Sequence, residues 1–147
     1  MANDPKGFPN PILDIIGKIW TLPNTLIGIL YGGIGYLVGT ITDARPTISI
    51  DHNAIQFHNN PLTKRTAAVT LGNTISYGSK NDPNDFGAYG EHTVNIGLHE
   101  AAHTYQYQVL GILYLPIYFI LGGVDKDNRF EQAAQRYGSN KGSWWPW

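Results

Sequence analysis

An α+β fold with a small, mostly antiparallel sheet is the architecture this sequence predicts. Three patterns point to it: an apolar segment over 24–42 with regularly spaced glycines, short alternating runs within 47–77, and two later stretches, about 93–110 and about 127–137, with apolar residues at helical spacing. The 147 residues suit one domain, 1–147, large enough to bury a core without disulfides.

The first segment reads as an N-terminal helix. Pro23-Asn24-Thr25 resembles a helix start, and Gly28, Gly32, Gly35 and Gly39 fall three or four apart, so one face is smooth enough for close packing. Residues 19–42 carry no charge and are long enough to cross a bilayer, whereas the apolar part, Leu26 to Val38, is nearer the length of a core helix. Two readings follow: a buried core helix, or a segment that contacts a membrane through 19–42.

Thr47 to Ile50 and Ala54 to His58 alternate around Asp51-His52-Asn53, a hairpin pattern in which His52 and His58 read as ordinary hairpin residues. Ala67 to Leu71 and Thr74 to Tyr77 add further strands, and "SKNDPNDFGAYG" reads as a surface loop. From Thr93 the pattern turns helical, with Leu98, Ala101, Ala102, Tyr105 and Val109 on one stripe and Gly111 as terminator. A second apolar stretch, Ile112 to Gly123, is broken by Pro116. The last helix is capped by Asp127 or Asn128, carries Phe130, Ala133, Ala134 and Tyr137 inward and stops at Gly138. The tail "SNKGSWWPW" is an ordered arm if its tryptophans dock.

Composition removes several function classes. Ten Lys and Arg against 11 Asp and Glu leave no basic surface for nucleic acid. Without cysteine there is no disulfide framework, thiolate chemistry or Cys-ligated zinc, so any metal must be held by His and carboxylate. The start of the chain, with Asp4, three prolines and Asp14, lacks the pattern of a Sec-type signal peptide.

His99-Glu100-Ala101-Ala102-His103 carries the chemistry. Histidines four apart on a helix project from one face and can share a metal ion, while Glu100, offset by one, lies beside the metal as a general base. A catalytic Zn2+ takes three protein ligands and keeps one position open. Glu131, the only Glu downstream of the motif, is the best third ligand, with Asp125, Asp127 and His92 as rivals. His92 would share the histidine face only if the helix began early, and then about 10 Å from His99 by helical rise. Peptide hydrolysis also needs a donor for the developing oxyanion; Tyr105, Tyr107, Tyr114, Tyr118 and Tyr137 are the candidates, with Tyr114 and Tyr137 singled out, and Gln106 is placed to orient a ligand or substrate from behind.

"HEAAHTYQYQVLGILYLPIYFILGG" followed by "NRFEQAAQRYG" resembles the active-site region of zincin-like peptidases with a downstream glutamate ligand, the gluzincin type, over roughly Gly97 to Gly138. Within that family the likeness is to small bacterial peptidase-toxin domains associated with type VI secretion, whose motif helix runs into a "Q…LG.LY.P" stretch, here Gln106 or Gln108, Leu110-Gly111, Leu113-Tyr114 and Pro116. Glu131 departs from the "NExxSD" form of larger gluzincins by lying in "FEQAA". The resemblance implies zinc on His99, His103 and Glu131, Glu100 as base, and an edge strand within Val69 to Tyr77 that pairs with a protein or peptide substrate. It further implies an antibacterial effector with a cognate immunity protein and a secretion-machinery carrier, exported without a signal peptide to act in the target-cell periplasm, or otherwise cytoplasmic. The rival expectation is a membrane-active or membrane-docked module built on 19–42 and Ile112 to Gly123, its metal site structural or lost.

Overall fold

The computed structural model describes residues 7–89 and 91–147; the first six residues, on which the reading of the export signal partly rests, lie outside them. The chain is α+β, with two small, mostly antiparallel sheets. Helix α1 (Pro11–Trp20) precedes the anticipated apolar helix and was not assigned from the sequence. Asn10 caps it by accepting from Ile12 N, Pro11 occupies the first turn, and Asp14 pairs with Lys18 one turn on.

Helix α2 (Leu22–Ile41) begins before the expected Asn24, because Thr21 at the α1 terminus leads straight into a new helix. Its packing is inverted relative to an ordinary amphipathic helix. Gly28, Gly32, Gly35 and Gly39 are buried, whereas Leu22, Leu26, Leu30, Leu37 and Ile41 are exposed. The glycines let the helix backbone lie directly on the sheet: a Cβ on Gly32 would stand 2.2 Å from the Phe57 ring, and one on Gly35 1.9 Å from Asn60 Oδ1. Neighbouring Gly33 faces open space. Gly32→Ala should therefore destabilise the fold by about 1–3 kcal/mol, while Gly33→Ala should stabilise it by about 0.5–1 kcal/mol through helix propensity alone. Paired urea titrations check the opposite signs.

The main sheet has the order β1-β2-β4-β3, from β1 (Thr47–Asp51), β2 (Ala54–His58), β3 (Ala68–Leu71) and β4 (Thr74–Tyr77). The β1–β2 and β3–β4 pairs are antiparallel hairpins, and β2 pairs with β4 in parallel. His52 and Asn53 both hold positive φ in the first hairpin turn, as a two-residue connection with right-handed twist requires. His58 bonds Ser49 Oγ at 2.7 Å and stacks on Tyr77, a structural use.

The region read as a surface loop holds β5 (Phe86–Tyr89), which pairs with β6 (His92–Asn95) just beyond it in a third hairpin. The strand therefore continues to Asn95, and helix α3 spans Ile96–Leu110 rather than starting near residue 93. Asn95 is its cap, accepting from Leu98 N at 2.8 Å, and Gly111, at φ +56°, ends it. A 3-10 turn (Gly111–Leu113) and α4 (Tyr114–Ile120) follow, with Pro116 tolerated in the first turn of α4; α5 spans Arg129–Gly138 and is capped by Asn128.

Helix α3 is the axis of the domain, buried on every side from Ile96 to Gln108. Ala101 and Ala102 meet Ala134 of α5, and these small side chains bring the two helices close. Gln108 ties the periphery to the axis: its amide donates to Asp14 Oδ1 of α1 at 2.9 Å and accepts from Asn53 and Asn73, one in each hairpin turn. The C-terminal arm docks, with Trp144 stacked on Phe8 and Trp147 edge-on to Phe130.

Candidate metal centre

One turn of α3 separates His99 from His103, so both imidazoles leave the same face of the helix, with ring centroids 4.9 Å apart. The α3–α5 alanine contact sets Glu131, in the first turn of α5, opposite them. Its Oε2 lies 3.3 Å from His99 Nε2 and its Oε1 3.5 Å from His103 Nε2. Ligand atoms of the three residues all fall within 4.8 Å of one another, the grouping a tetrahedral cation with one open position takes. The rival ligands lie elsewhere. Asp125 and Asp127 are exposed in the turn before α5, where Asp125 Oδ1 accepts from Asp127 N at 2.8 Å, and His92 sits on β6 outside the cluster.

The donor set fits a metal on a further observation. Gln106 Nε2 donates to the carbonyls of Phe130 (3.1 Å) and Trp144 (2.8 Å), which fixes the amide with Oε1 turned to His103 Nδ1 at 2.9 Å. Nδ1 of His103 must therefore carry a proton, and Nε2 is the nitrogen that faces the site. Gln106 thus orients an imidazole. The Tyr114 hydroxyl, 3.2 Å from the same Oε1 and 3.1 Å from His103 Nδ1, is committed to this pair behind the ligand. Tyr137, the other tyrosine singled out from sequence, packs against Tyr105 in the α3–α5 core and does not line the cavity, because it lies about 120° around α5 from Glu131.

Charge coupling in the buried site is strong. Burial alone would lower the His103 pKa, but the Glu131 carboxylate beside it outweighs burial and lifts it to about 9. For Glu131, burial pushes upward, and the two imidazoles together pull its pKa well below the carboxylate range. Before a metal binds, the pair is held as imidazolium and carboxylate.

A cavity of about 410 Å³ opens above His99, His103 and Glu131. One wall is β3, the outer strand of the sheet, with no strand on its far side among the described residues; another is α4, through Leu115, Tyr118 and Phe119. Glu100 lines the cavity beside the histidines, and Thr70 of β3 donates its hydroxyl to Glu100 Oε2 at 2.6 Å. Two residues join the site that the sequence reading did not single out. Thr70 lay within the anticipated edge strand. Tyr89, stacked on the His99 ring with centroids 4.8 Å apart, lay in the segment taken for a loop. Tyr118, among the tyrosines considered, donates its hydroxyl to Glu131 Oε1. Burial, reinforced by the nearby carboxylates, raises the Tyr89 pKa to about 12 and the Tyr118 pKa further, so both phenols remain hydrogen-bond donors at any physiological pH. Comparison with known protein families, curated proteins and solved structures found no match to this chain.

Proposed function

We propose that the protein is a zincin-like zinc metallopeptidase. The observation that carries this reading is the convergence of His99, His103 and Glu131 on one point at the floor of a cavity that also holds Glu100 and is walled by an unpaired strand edge. Zinc is the cation this N,N,O set suits, and bound there it supplies Lewis acidity and lowers the pKa of a water towards 7. The protein's own groups do the rest. An extended peptide adds to the free edge of β3, which brings a scissile carbonyl over the ligands. Glu100 takes a proton from the attacking water as its oxygen bonds to the carbonyl carbon, then delivers it to the departing amine nitrogen as the C–N bond breaks. Thr70 holds Oε2 of Glu100 and leaves Oε1 to handle the proton. Tyr89 is the donor at hand for the oxyanion, since the Tyr118 hydroxyl is committed to Glu131 Oε1.

The resemblance to peptidase-toxin domains adds a setting: an effector carried by a secretion machine into a target-cell periplasm and neutralised by an immunity protein. Directing the parent chain, but not its Glu100→Ala variant, to the periplasm should arrest growth. A membrane-docked module is the second reading, favoured by the outward apolar face of α2.

The direct test is elemental analysis with a peptide-library digest: about one zinc per chain, and cleavage that stops with chelator and returns with zinc. Absence of zinc, or cleavage indifferent to chelator, would sink the proposal. Zinc uptake must also displace the His103 proton, since a ligand imidazole is neutral. Calorimetry at pH 7–8 in buffers of different ionisation enthalpy should therefore show about one proton released per zinc, and apparent affinity should rise with pH until about 9, where His103 titrates.

A further inference from the structure

The outward faces of α1, α2 and the 3-10 turn with α4 adjoin one another. Asn24 Nδ2 donates to Gly111 O at 2.9 Å, and Trp20 lies against Gly111, so the three elements meet at one seam. From that seam Ile15 and Ile19 extend along α1, Leu26 and Leu30 along α2, and Ile112 and Leu113 into α4. All are exposed, Leu30 by 65%. Residues 19–42 and 110–124 contain no Asp, Glu, Lys or Arg. The 20 residues of α2 are long and apolar enough to cross a membrane, yet their glycine face is occupied by Asn60, Thr74 and the polar turn at Gly72. A spanning pose would drag these groups into hydrocarbon without water, so only the opposite face is available to lipid.

We propose that this face seats the protein in the plane of a lipid bilayer, with α1 and α2 lying in the interfacial region and the metal cavity opening at the membrane surface. The occupant follows from the chemistry of the face. Protein interfaces offer about one hydrogen bond per 100–200 Å² and are enriched in Arg and Tyr, whereas these two stretches present Ile and Leu without a charged side chain. A second copy would have no small-residue groove to enter, because the sheet already fills the glycine face of α2. An uncharged face also selects uncharged hydrocarbon over anionic headgroups. The face continues to the cavity mouth, since Phe119 of α4 both lines the cavity and is exposed, as does Val124 beyond it. Resting on the peptidase reading, the substrate class is then a polypeptide segment held at a membrane surface.

The test uses the zinc-loaded chain in flotation with phosphatidylcholine vesicles, alone and with phosphatidylglycerol. Flotation with both, insensitive to salt between 0.1 and 0.5 M, is expected; a chain that stays at the bottom as monomer or dimer, or floats only with anionic lipid at low salt, would overturn the docking. Leu26→Gln, Leu30→Gln and Leu37→Gln together should lower partition at least roughly tenfold, because exposed side chains contribute to lipid contact and not to the core. Should that triple variant fail to fold, bromolipid quenching of Trp20 in the parent, with Trp20→Phe as control, decides the same question. Glu100→Ala must float like the parent, so loss of peptidase activity leaves the docking result intact. For the substrate class, one peptide is compared free and palmitoylated in phosphatidylcholine vesicles. The anchored form should be cleaved at least tenfold faster, and equal rates would overturn that part alone.

Discussion

Glu100→Ala is expected to lower peptide hydrolysis by about 10²–10⁴-fold, the range a positioned general base supplies, with zinc stoichiometry unchanged. The separation of roles comes from geometry. Glu100 is turned to Thr70 on the sheet wall at 2.6 Å, while the three metal-facing groups are His99, His103 and Glu131. Removing its carboxylate therefore takes away proton transfer and leaves the cation site whole. Parallel assays of zinc content and kcat settle it: a variant as active as the parent removes Glu100 from the chemistry, and one that loses zinc makes it a ligand.

Glu131→Ala should have the second largest effect, weakening zinc retention by more than the roughly 10–100-fold that a partner behind a ligand costs. Three consequences coincide in this substitution. One of three ligands disappears, His103 and His99 lose the carboxylate that faces them, and the hydroxyl of Tyr118 loses its acceptor. Competition with a chromogenic chelator measures the loss, and retention equal to the parent's would send the third-ligand assignment elsewhere. His99→Ala provides the scale, since the two variants should fall together.

The candidate metal cluster was legible because metal chemistry constrains sequence tightly. Histidines four apart share a helix face, and with no cysteine and one downstream glutamate the ligand options were few. The first two hairpins were legible for a similar reason, as alternation and turn residues coincide there. Tyr89 was hidden because β5 is four residues long and stands directly after a run of Asn, Asp and Pro that dominates the local signal. Thr70 could be placed on an edge strand, but its contact with Glu100 joins elements far apart in sequence. Helix α1 does carry a helical period, with Ile12, Ile15, Ile16 and Ile19 three or four apart, but that apolar stripe is exposed and only Gly17 is buried. In α2 the glycine strip did announce close packing, as expected. What apolar periodicity could not convey is which side faces inward, because in α2 the small residues are buried and the large apolar ones are exposed.

Gln108 gives the molecule a predictable pattern of opening. Its single amide holds Asp14 of α1, Asn53 of the first hairpin turn and Asn73 of the second against the helix that carries His99 and His103. Elements joined through one buried knot cannot come apart one at a time, because releasing any of them leaves polar atoms of the others without partners. In amide hydrogen exchange, the interior of α3 and the two turns should consequently exchange together as one cooperative unit. The outer turns of α4, where Phe119 and Ile120 are exposed, should exchange sooner and independently. The scaffold would then open near the cavity mouth long before it loses its grip on His99 and His103.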